Sequence, residues 1–161
     1  MNIQTLFNMQ KELDSYIEEN KGVADEDLFS RKLLALLVEI GELANETRCF
    51  KFWSNKSPSA KSMILEEFVD GVHFILSLGL EVGVENSSIQ AHGKERDLTR
   101  QFLVVMEIAH KFGHSRSKKD FQDFIDQYFY LGRLIGFSEE EIVQAYYQKN
   151  EVNYRRQQEG Y

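Results

Sequence analysis

Two apolar stretches, each carrying a pair of acidic residues three positions apart, constrain this sequence more than any other feature. The first stretch contains Glu39 and Glu42, and the second contains Glu67 and Asp70. Both stretches are apolar almost all round a helix, which predicts two largely buried helices. Residues at i and i+3 share a helix face, so the two acids of each pair point the same way.

If the two helices pack with these faces inward, four carboxylates meet inside the protein. Such a cluster repels itself and is poorly solvated, so it must be protonated, paired with cations or filled with a metal ion. Oxygen ligands favour a hard ion, Mg²⁺ or Mn²⁺. The alternative is a solvated acidic face, because 26 acidic residues produce such spacings by chance. Periodicity also leaves open whether Glu67 or Glu66 pairs with Asp70, since Glu66 and Asp70 are neighbours at i and i+4.

Length and composition predict one helical domain spanning residues 1–161. A single proline and abundant Leu, Glu, Lys and Gln favour helix. The net charge of −7 argues against nucleic acid or an anionic membrane as a partner. Cys49 is the only cysteine, which fits a reducing cytoplasm, and no signal peptide or membrane-spanning stretch is expected.

Helical periodicity and capping signals predict an all-α fold of about six helices around a central antiparallel four-helix bundle, with no sheet. Ser57-Pro58 predicts the start of the third helix, and Gly113 the end of the fourth. Ser117 and Ser138 open capping boxes that predict the starts of the fifth and sixth helices. Between the third and fourth helices, the polar residues 84–96 predict a long irregular loop.

The last predicted helix carries hydrogen-bonding side chains at helical spacing. Amides, cations and a tyrosine on one face suit phosphate or sugar oxygens. The alternative is a solvated terminal helix whose basic end complements its dipole. The residues are Tyr146, Lys149, Asn150, Asn153, Arg156 and Gln157.

Several residues near the acidic pairs have no clear role from pattern alone. His73 lies one turn beyond Asp70 and faces roughly the acidic side, although a single histidine there is usually a hydrogen-bonded core residue. Trp53 follows the first acidic helix and precedes a loop, where a pocket mouth could lie. Gln10 and Asp14 share a face of the first helix and are interpreted as surface-polar.

Together, these motifs resemble the all-α nucleoside-triphosphate pyrophosphohydrolase superfamily, which includes the dimeric dUTPases and the MazG-like enzymes. The resemblance rests first on two motifs, E-I-G-E beginning at Glu39 and E-F-V-D beginning at Glu67. Three further stretches resemble the dimeric dUTPase branch. They are residues 50–53, residues 69–78, and residues 146–161, the last of which follows Y-x-x-K-N-x-x-N-x-x-R-Q-x-x-G-Y.

The resemblance implies hydrolysis of dUTP, and of dUDP, to dUMP plus pyrophosphate or phosphate by a cytoplasmic homodimer. It implies two or more Mg²⁺ ions per site, with Mn²⁺ able to substitute. It places Glu67 rather than Glu66 beside Asp70, and makes Glu39, Glu42, Glu67 and Asp70 the catalytic carboxylates and metal ligands. Physical reasoning agrees, because an acidic site can bind a triphosphate only through divalent ions. We interpret Glu39 as the carboxylate that orients the attacking water.

The resemblance also implies where the nucleotide binds. The phosphate and sugar would contact Lys149, Asn150, Asn153 and Arg156. In the family, an amide on the first helix and an aromatic near the end of the second contact the uracil. The matching residues for the base are Gln10 and Trp53, with His73 and Phe74 lining the same pocket.

Three other readings of the sequence stay open. A pyrophosphohydrolase of this kind could act on another nucleotide, such as dCTP or a modified dNTP. A di-iron carboxylate bundle could use the acid-x-x-His pairs Asp70/His73 and Glu107/His110, completed by Glu39 or Glu42. A non-catalytic helical interaction protein would show no metal-dependent nucleotide hydrolysis.

Overall fold

A computed structural model describes residues 1–161 and contains six α-helices and no strand. This architecture confirms the predicted all-α class and helix number. The helices are α1 (Ile3–Lys21), α2 (Phe29–Thr47), α3 (Lys61–Glu81), α4 (Leu98–Ser115), α5 (Lys118–Ile135) and α6 (Glu139–Gln158).

Helices α2, α3, α5 and α4 form a closed ring in which neighbours run antiparallel, as predicted. Contacts between opposite helix ends define these directions: Lys32 of α2 pairs with Glu81 of α3, and Lys111 of α4 pairs with Asp120 of α5. Helices α1 and α6 pack against α3 and against each other. Helix α3 therefore touches four other helices, which explains why its sequence is apolar almost all round.

Large aromatic side chains fill the core where α3 meets α5. Phe68 stacks on Tyr128 with 4.7 Å between ring centroids, and the Tyr128 hydroxyl donates to the Phe68 carbonyl at 2.8 Å. Burying a phenylalanine side chain stabilises a fold by about 1.5–3 kcal/mol. A Cβ at Gly71 would lie 2.0 Å from Oη of Tyr128. The glycine therefore lets α5 pack directly behind the turn that carries Asp70.

Gly113 does not end α4, contrary to the prediction, because the helix continues to Ser115. A Cβ at Gly113 would lie 2.4 Å from Cδ2 of Leu33 on α2. The glycine thus allows α2 and α4 to approach closely. Arg116 ends the helix instead, with a positive φ of 48°.

The predicted start of α3 at Ser57-Pro58 is wrong, because α3 begins at Lys61 with Ala60 as its N-cap residue. The preceding segment is bound to α2. Ser59 donates its amide to the Glu46 carbonyl at 3.1 Å, and its hydroxyl to the Glu46 carboxylate. This tertiary contact holds the chain extended where the local capping signal favoured a helical turn.

The other capping signals are confirmed. Ser117 accepts a hydrogen bond from the Asp120 amide, and Ser138 forms a complete capping box with Glu141. Residues 83–97 contain no helix or strand. This confirms the irregular loop predicted for residues 84–96. No helix combines the length and apolar character needed to cross a lipid bilayer.

Candidate active site

One pocket of about 310 Å³ lies between α1, α2, α3 and α6. All four helices contribute polar side chains to its wall. One acid of each predicted pair, the first helix and the last helix therefore meet in one place. The polar lining includes Gln10, Asp14, Lys32, Glu39, Asp70, His73, Ser77, Lys149, Asn153 and Arg156.

Three of the four predicted acidic residues form a cluster at this pocket. Carboxylate oxygens of Glu39, Glu67 and Asp70 all lie within 4.8 Å of one another. The antiparallel packing of α2 against α3 brings them together from positions far apart in sequence. Glu42 is exposed and lies outside this group, and Glu66 points to solvent with 60% of its side chain exposed.

The cluster is electrostatically unfavourable without a cation. Burial, followed by repulsion from Asp70 and Glu42, raises the pKa of Glu39 to about 7. Burial and neighbouring carboxylates also raise the pKa of Glu67, and burial raises the pKa of Asp70. Oε2 of Glu39 is buried and has no hydrogen-bond partner.

Lys149 of α6 is the cation nearest to these acids. Its Nζ lies 2.7 Å from Oδ2 of Asp70 and 2.9 Å from Oε1 of Glu66. Burial alone would lower the pKa of Lys149, but the hydrogen bonds to Asp70 and Glu66 raise it. The predicted phosphate-binding lysine therefore touches the predicted metal-binding acid directly.

Gln10 and His73 form another part of the wall, and the fully buried Tyr146 contacts both of them. Oε1 of Gln10 lies 2.8 Å from Nδ1 of His73 and accepts a 2.8 Å hydrogen bond from the Tyr146 hydroxyl. The His73 and Tyr146 rings stack with 4.2 Å between centroids. Burial lowers the pKa of His73 to about 3, so its imidazole is neutral.

Asp14, interpreted from sequence as surface-polar, is instead largely buried in the pocket wall. It accepts hydrogen bonds from Gln10 Nε2 at 2.7 Å and from Ser77 Oγ at 2.6 Å. Burial raises the pKa of Asp14, whereas Ser77, Lys32 and Gln10 favour its ionised form. Gln10 is likewise buried, because α6 covers this face of α1.

Sequence reasoning missed Lys32 of α2. Its Nζ lies 2.8 Å from Glu18, 2.5 Å from Glu81 and 3.9 Å from Asp14. These partners come from α1 and α3, so no local pattern identifies the lysine. It brings positive charge to the side of the pocket that Asp14 makes acidic.

The remaining predicted site residues separate into two groups. Phe74, Asn153 and Arg156 line the pocket, as expected for nucleotide-binding side chains. Asn150 is buried but does not line it, and Trp53 is 65% exposed in the segment that follows α2. The structure therefore does not bring Trp53 to the predicted base site within one chain.

The donor set of the cluster suits a hard cation. Glu39, Glu67 and Asp70 offer only carboxylate oxygens, and one oxygen of Glu39 is buried without a partner. No histidine belongs to the group, since Nδ1 of His73 lies against Gln10 and His110 is exposed on α4. The ligand set of a di-iron bundle is therefore not assembled here.

Comparison with known proteins agrees with the geometry of the site. A family model described as dUTPase matches residues 2–161, almost the whole sequence. A search of curated proteins found no match. Because the family model covers almost the whole sequence, the chain belongs to the dimeric all-α dUTPase family, and its activity is that of a dUTP diphosphatase.

Proposed function

We propose that the protein hydrolyses dUTP to dUMP and pyrophosphate, and dUDP to dUMP and phosphate, in the pocket between α1, α2, α3 and α6. The reaction depends on Mg²⁺, with two or more ions per site, and Mn²⁺ substitutes for it. Glu39, Glu67 and Asp70 would hold the metal, and Glu42, three residues from Glu39 on α2, would be a further ligand. The same site is the one that the family resemblance indicates.

The observation that carries this proposal is the meeting of a carboxylate cluster with the basic face of α6. Three carboxylates within 4.8 Å would repel a triphosphate unless cations stood between them. Lys149 and Arg156 line the same pocket and add positive charge. A site with this mixture suits a polyanion bound through divalent ions.

Bound Mg²⁺ would lower the pKa of a water and offset charge on the reacting phosphate. Glu39 orients that water in our proposal, because its Oε2 is buried and has no partner in the protein. Glu67 and Asp70 then serve chiefly as metal ligands.

The residues of α6 bind the phosphates and the sugar. Lys149 would pair with a phosphate oxygen, and Asp70, which it contacts in this structure, would then be a metal ligand. Arg156 offers two parallel N–H donors to another phosphate oxygen pair. Asn153 lines the pocket beside them and would bind phosphate or sugar. Asn150 has a buried Nδ2 without a partner but does not line the pocket, so its predicted contact requires a movement of α6.

The base lies against α1 and α3 in this proposal. Gln10, His73 and Phe74 line that part of the pocket, where an aromatic ring and buried polar atoms stand together. Trp53 is outside the pocket of its own chain. Its predicted contact with the base therefore requires a movement of residues 48–60 or a contribution from a second copy.

We also propose that the protein is a homodimer. Five of the nine exposed large apolar side chains lie on α2 or in the segment that follows it, and clustered exposed apolar residues mark an interaction site. A second copy of the chain would cover them. These residues are Leu34, Val38, Phe50, Phe52 and Trp53, which are 38–94% exposed.

A hydrolysis panel over the common NTPs and dNTPs tests this function. Full activity is expected with dUTP and Mg²⁺, partial activity with Mn²⁺, and none after metal removal with EDTA. Release of pyrophosphate rather than three phosphates identifies the bond that breaks. Hydrolysis of dCTP or a modified dNTP in preference to dUTP would favour the alternative pyrophosphohydrolase reading.

A further inference from the structure

A chain of hydrogen bonds joins Asp14 to His73 through the amide of Gln10. We infer that Asp14, acting through Gln10, holds His73 in the tautomer that carries its proton on Nδ1. Nε2 of His73 is thereby left as a bare hydrogen-bond acceptor for an N–H group on the edge of the substrate's base. The inference rests on the proposed function, since it needs a nucleotide base in this pocket.

The first step is the state of Asp14. An ionised carboxylate only accepts hydrogen bonds, and the groups that contact the Asp14 oxygens donate or carry positive charge, whereas repulsion from Glu18 is the smallest of the influences on its pKa. Ser77 donates to one oxygen at 2.6 Å, and the ammonium of Lys32 lies 3.9 Å from the same oxygen. The other oxygen faces Gln10 at 2.7 Å. Gln10 must therefore turn its NH₂ group toward Asp14.

The second step is the orientation of Gln10. With Nε2 directed at Asp14, Oε1 is turned toward His73 and Tyr146, and a carbonyl oxygen can only accept. The Tyr146 hydroxyl can supply a proton by rotation. The histidine has no such freedom, because only an Nδ1 that carries hydrogen can bond to Oε1 across 2.8 Å.

The third step concerns the other ring nitrogen. A neutral imidazole carries one proton, so a proton on Nδ1 leaves Nε2 with a lone pair and no hydrogen. Nε2 of His73 is buried and has no partner in the protein, while His73 itself lines the pocket. A buried acceptor without a partner costs free energy, which a bound ligand that donates a hydrogen bond would recover.

This arrangement selects among bases. An acceptor on the wall pairs with uracil, whose N3 carries hydrogen, but opposes the lone pair of cytosine N3. The Gln10 carbonyl cannot take this role, since His73 and Tyr146 already occupy it. Gln10 and Asp14 are therefore positioning residues, and His73 is the residue that contacts the base.

Nitrogen-15 NMR of the nucleotide-free protein tests the tautomer directly. In the unsubstituted protein, Nδ1 of His73 should show the shift of a protonated ring nitrogen and Nε2 that of an unprotonated one. Asp14→Asn can present either amide oxygen or NH₂ to Gln10, so the variant should show a mixture of tautomers. Glu12→Gln removes one charge from an exposed position on the same helix and should leave the pattern unchanged.

The specificity readout is the ratio of kcat/KM for dUTP to that for dCTP. Loss of a buried recognition hydrogen bond should lower this ratio about tenfold or more in Asp14→Asn, and not in Glu12→Gln. Binding of dUMP, measured by calorimetry, distinguishes failure of the proposed function from failure of the relay through Gln10 alone. No dUMP binding to the unsubstituted protein would overturn the proposed function itself.

Three results would overturn the relay alone while dUMP still binds. One is a proton on Nε2 of His73 in the unsubstituted protein, a measurement that does not depend on any variant folding. The second is an unchanged tautomer in a folded Asp14→Asn protein. The third is an unchanged preference for dUTP over dCTP in that variant.

Discussion

Lys149 on α6 places its ammonium 2.7 Å from the Asp70 carboxylate on α3. This ion pair links the helix that carries the proposed phosphate-binding residues to the cluster that would hold the metal. Lys149 also contacts Glu66, so one cation offsets two acids. Metal binding at Asp70 and phosphate binding at Lys149 would each compete with this ion pair, so the two events should be coupled.

Replacing Glu67 with glutamine should lower kcat/KM for dUTP by about two orders of magnitude. The change removes one charge from the cluster and preserves side-chain size, and loss of a catalytic electrostatic element has effects of this order. The metal-free variant should unfold at the same or a higher temperature, because fewer carboxylates repel one another. Steady-state kinetics and circular dichroism measure both effects.

Glu66→Gln is the matched control for that variant. It removes the same charge from the neighbouring position, but Glu66 lies outside the cluster and is mostly exposed. Its kcat/KM should stay within a few-fold of the unsubstituted protein. If Glu66→Gln is the inactive variant and Glu67→Gln is active, the assignment of the acidic pair on α3 is wrong.

The metal-free protein should lose stability as the pH rises from 4.5 to about 7. Burial and neighbouring acids raise the pKa of Glu39 to about 7 from 4.5, so the folded state binds a proton more tightly than the unfolded state in this interval. The free energy of unfolding therefore decreases with rising pH. In EDTA, the unfolding temperature of Glu39→Gln should depend less steeply on pH than that of the unsubstituted protein. Equal slopes for the two proteins would contradict a raised pKa of Glu39 in the folded state.

Arg156→Lys should weaken binding of a non-hydrolysable dUTP analogue by about tenfold. Lysine keeps the charge but cannot form two parallel hydrogen bonds to phosphate oxygens. Arg155→Lys is the control, since Arg155 is exposed and does not line the pocket. Calorimetry with Mg²⁺ measures both variants, and equal affinity would return Arg156 to an ordinary surface residue.

The protein should prefer dUTP to dCTP by about a hundredfold or more in kcat/KM. A site that hydrogen-bonds one base leaves buried groups unpaired when the donor and acceptor positions of the other base are reversed. dTTP should also react poorly if its methyl group meets the pocket wall. Comparable kcat/KM for dUTP and dCTP would exclude uracil recognition while leaving the pyrophosphohydrolase chemistry in place.

Light scattering after size-exclusion chromatography should give twice the chain mass. Leu34→Glu and Val38→Glu place charges on exposed apolar positions of α2 and should shift the protein toward monomer. Ser62→Glu adds the same charge at an exposed polar position of α3 and should leave the mass unchanged. A monomeric unsubstituted protein would refute the dimer.

Local patterns in the sequence were sufficient for the class of fold, and the resemblance of its motifs to the dUTPase family was sufficient for the activity. Helical periodicity depends on which residues within one segment face the core, and that information is local. The spacing of Glu39 with Glu42, and of Glu67 with Asp70, is local in the same way. The polar face of α6 and the capping boxes also depend on neighbours a few residues apart.

Tertiary packing decided the features that local patterns could not contain. Ser57-Pro58 carries a good start signal, yet α3 begins later because Ser59 is bound to Glu46 on α2. Gly113 is a typical helix terminator, yet it continues α4 because Leu33 packs against it. In both places a contact with a distant residue outweighs the local preference.

The same distinction holds inside the site. Asp14 is a polar residue on an amphipathic helix, and only the packing of α1 against α3 buries it beside Ser77. Lys32 gains its role from acids on two other helices. The sequence determined which side chains were available for nucleotide chemistry, and the packing of α1 and α6 on α3 decided which of them face one another, because burial and hydrogen bonding depend on contacts between distant segments.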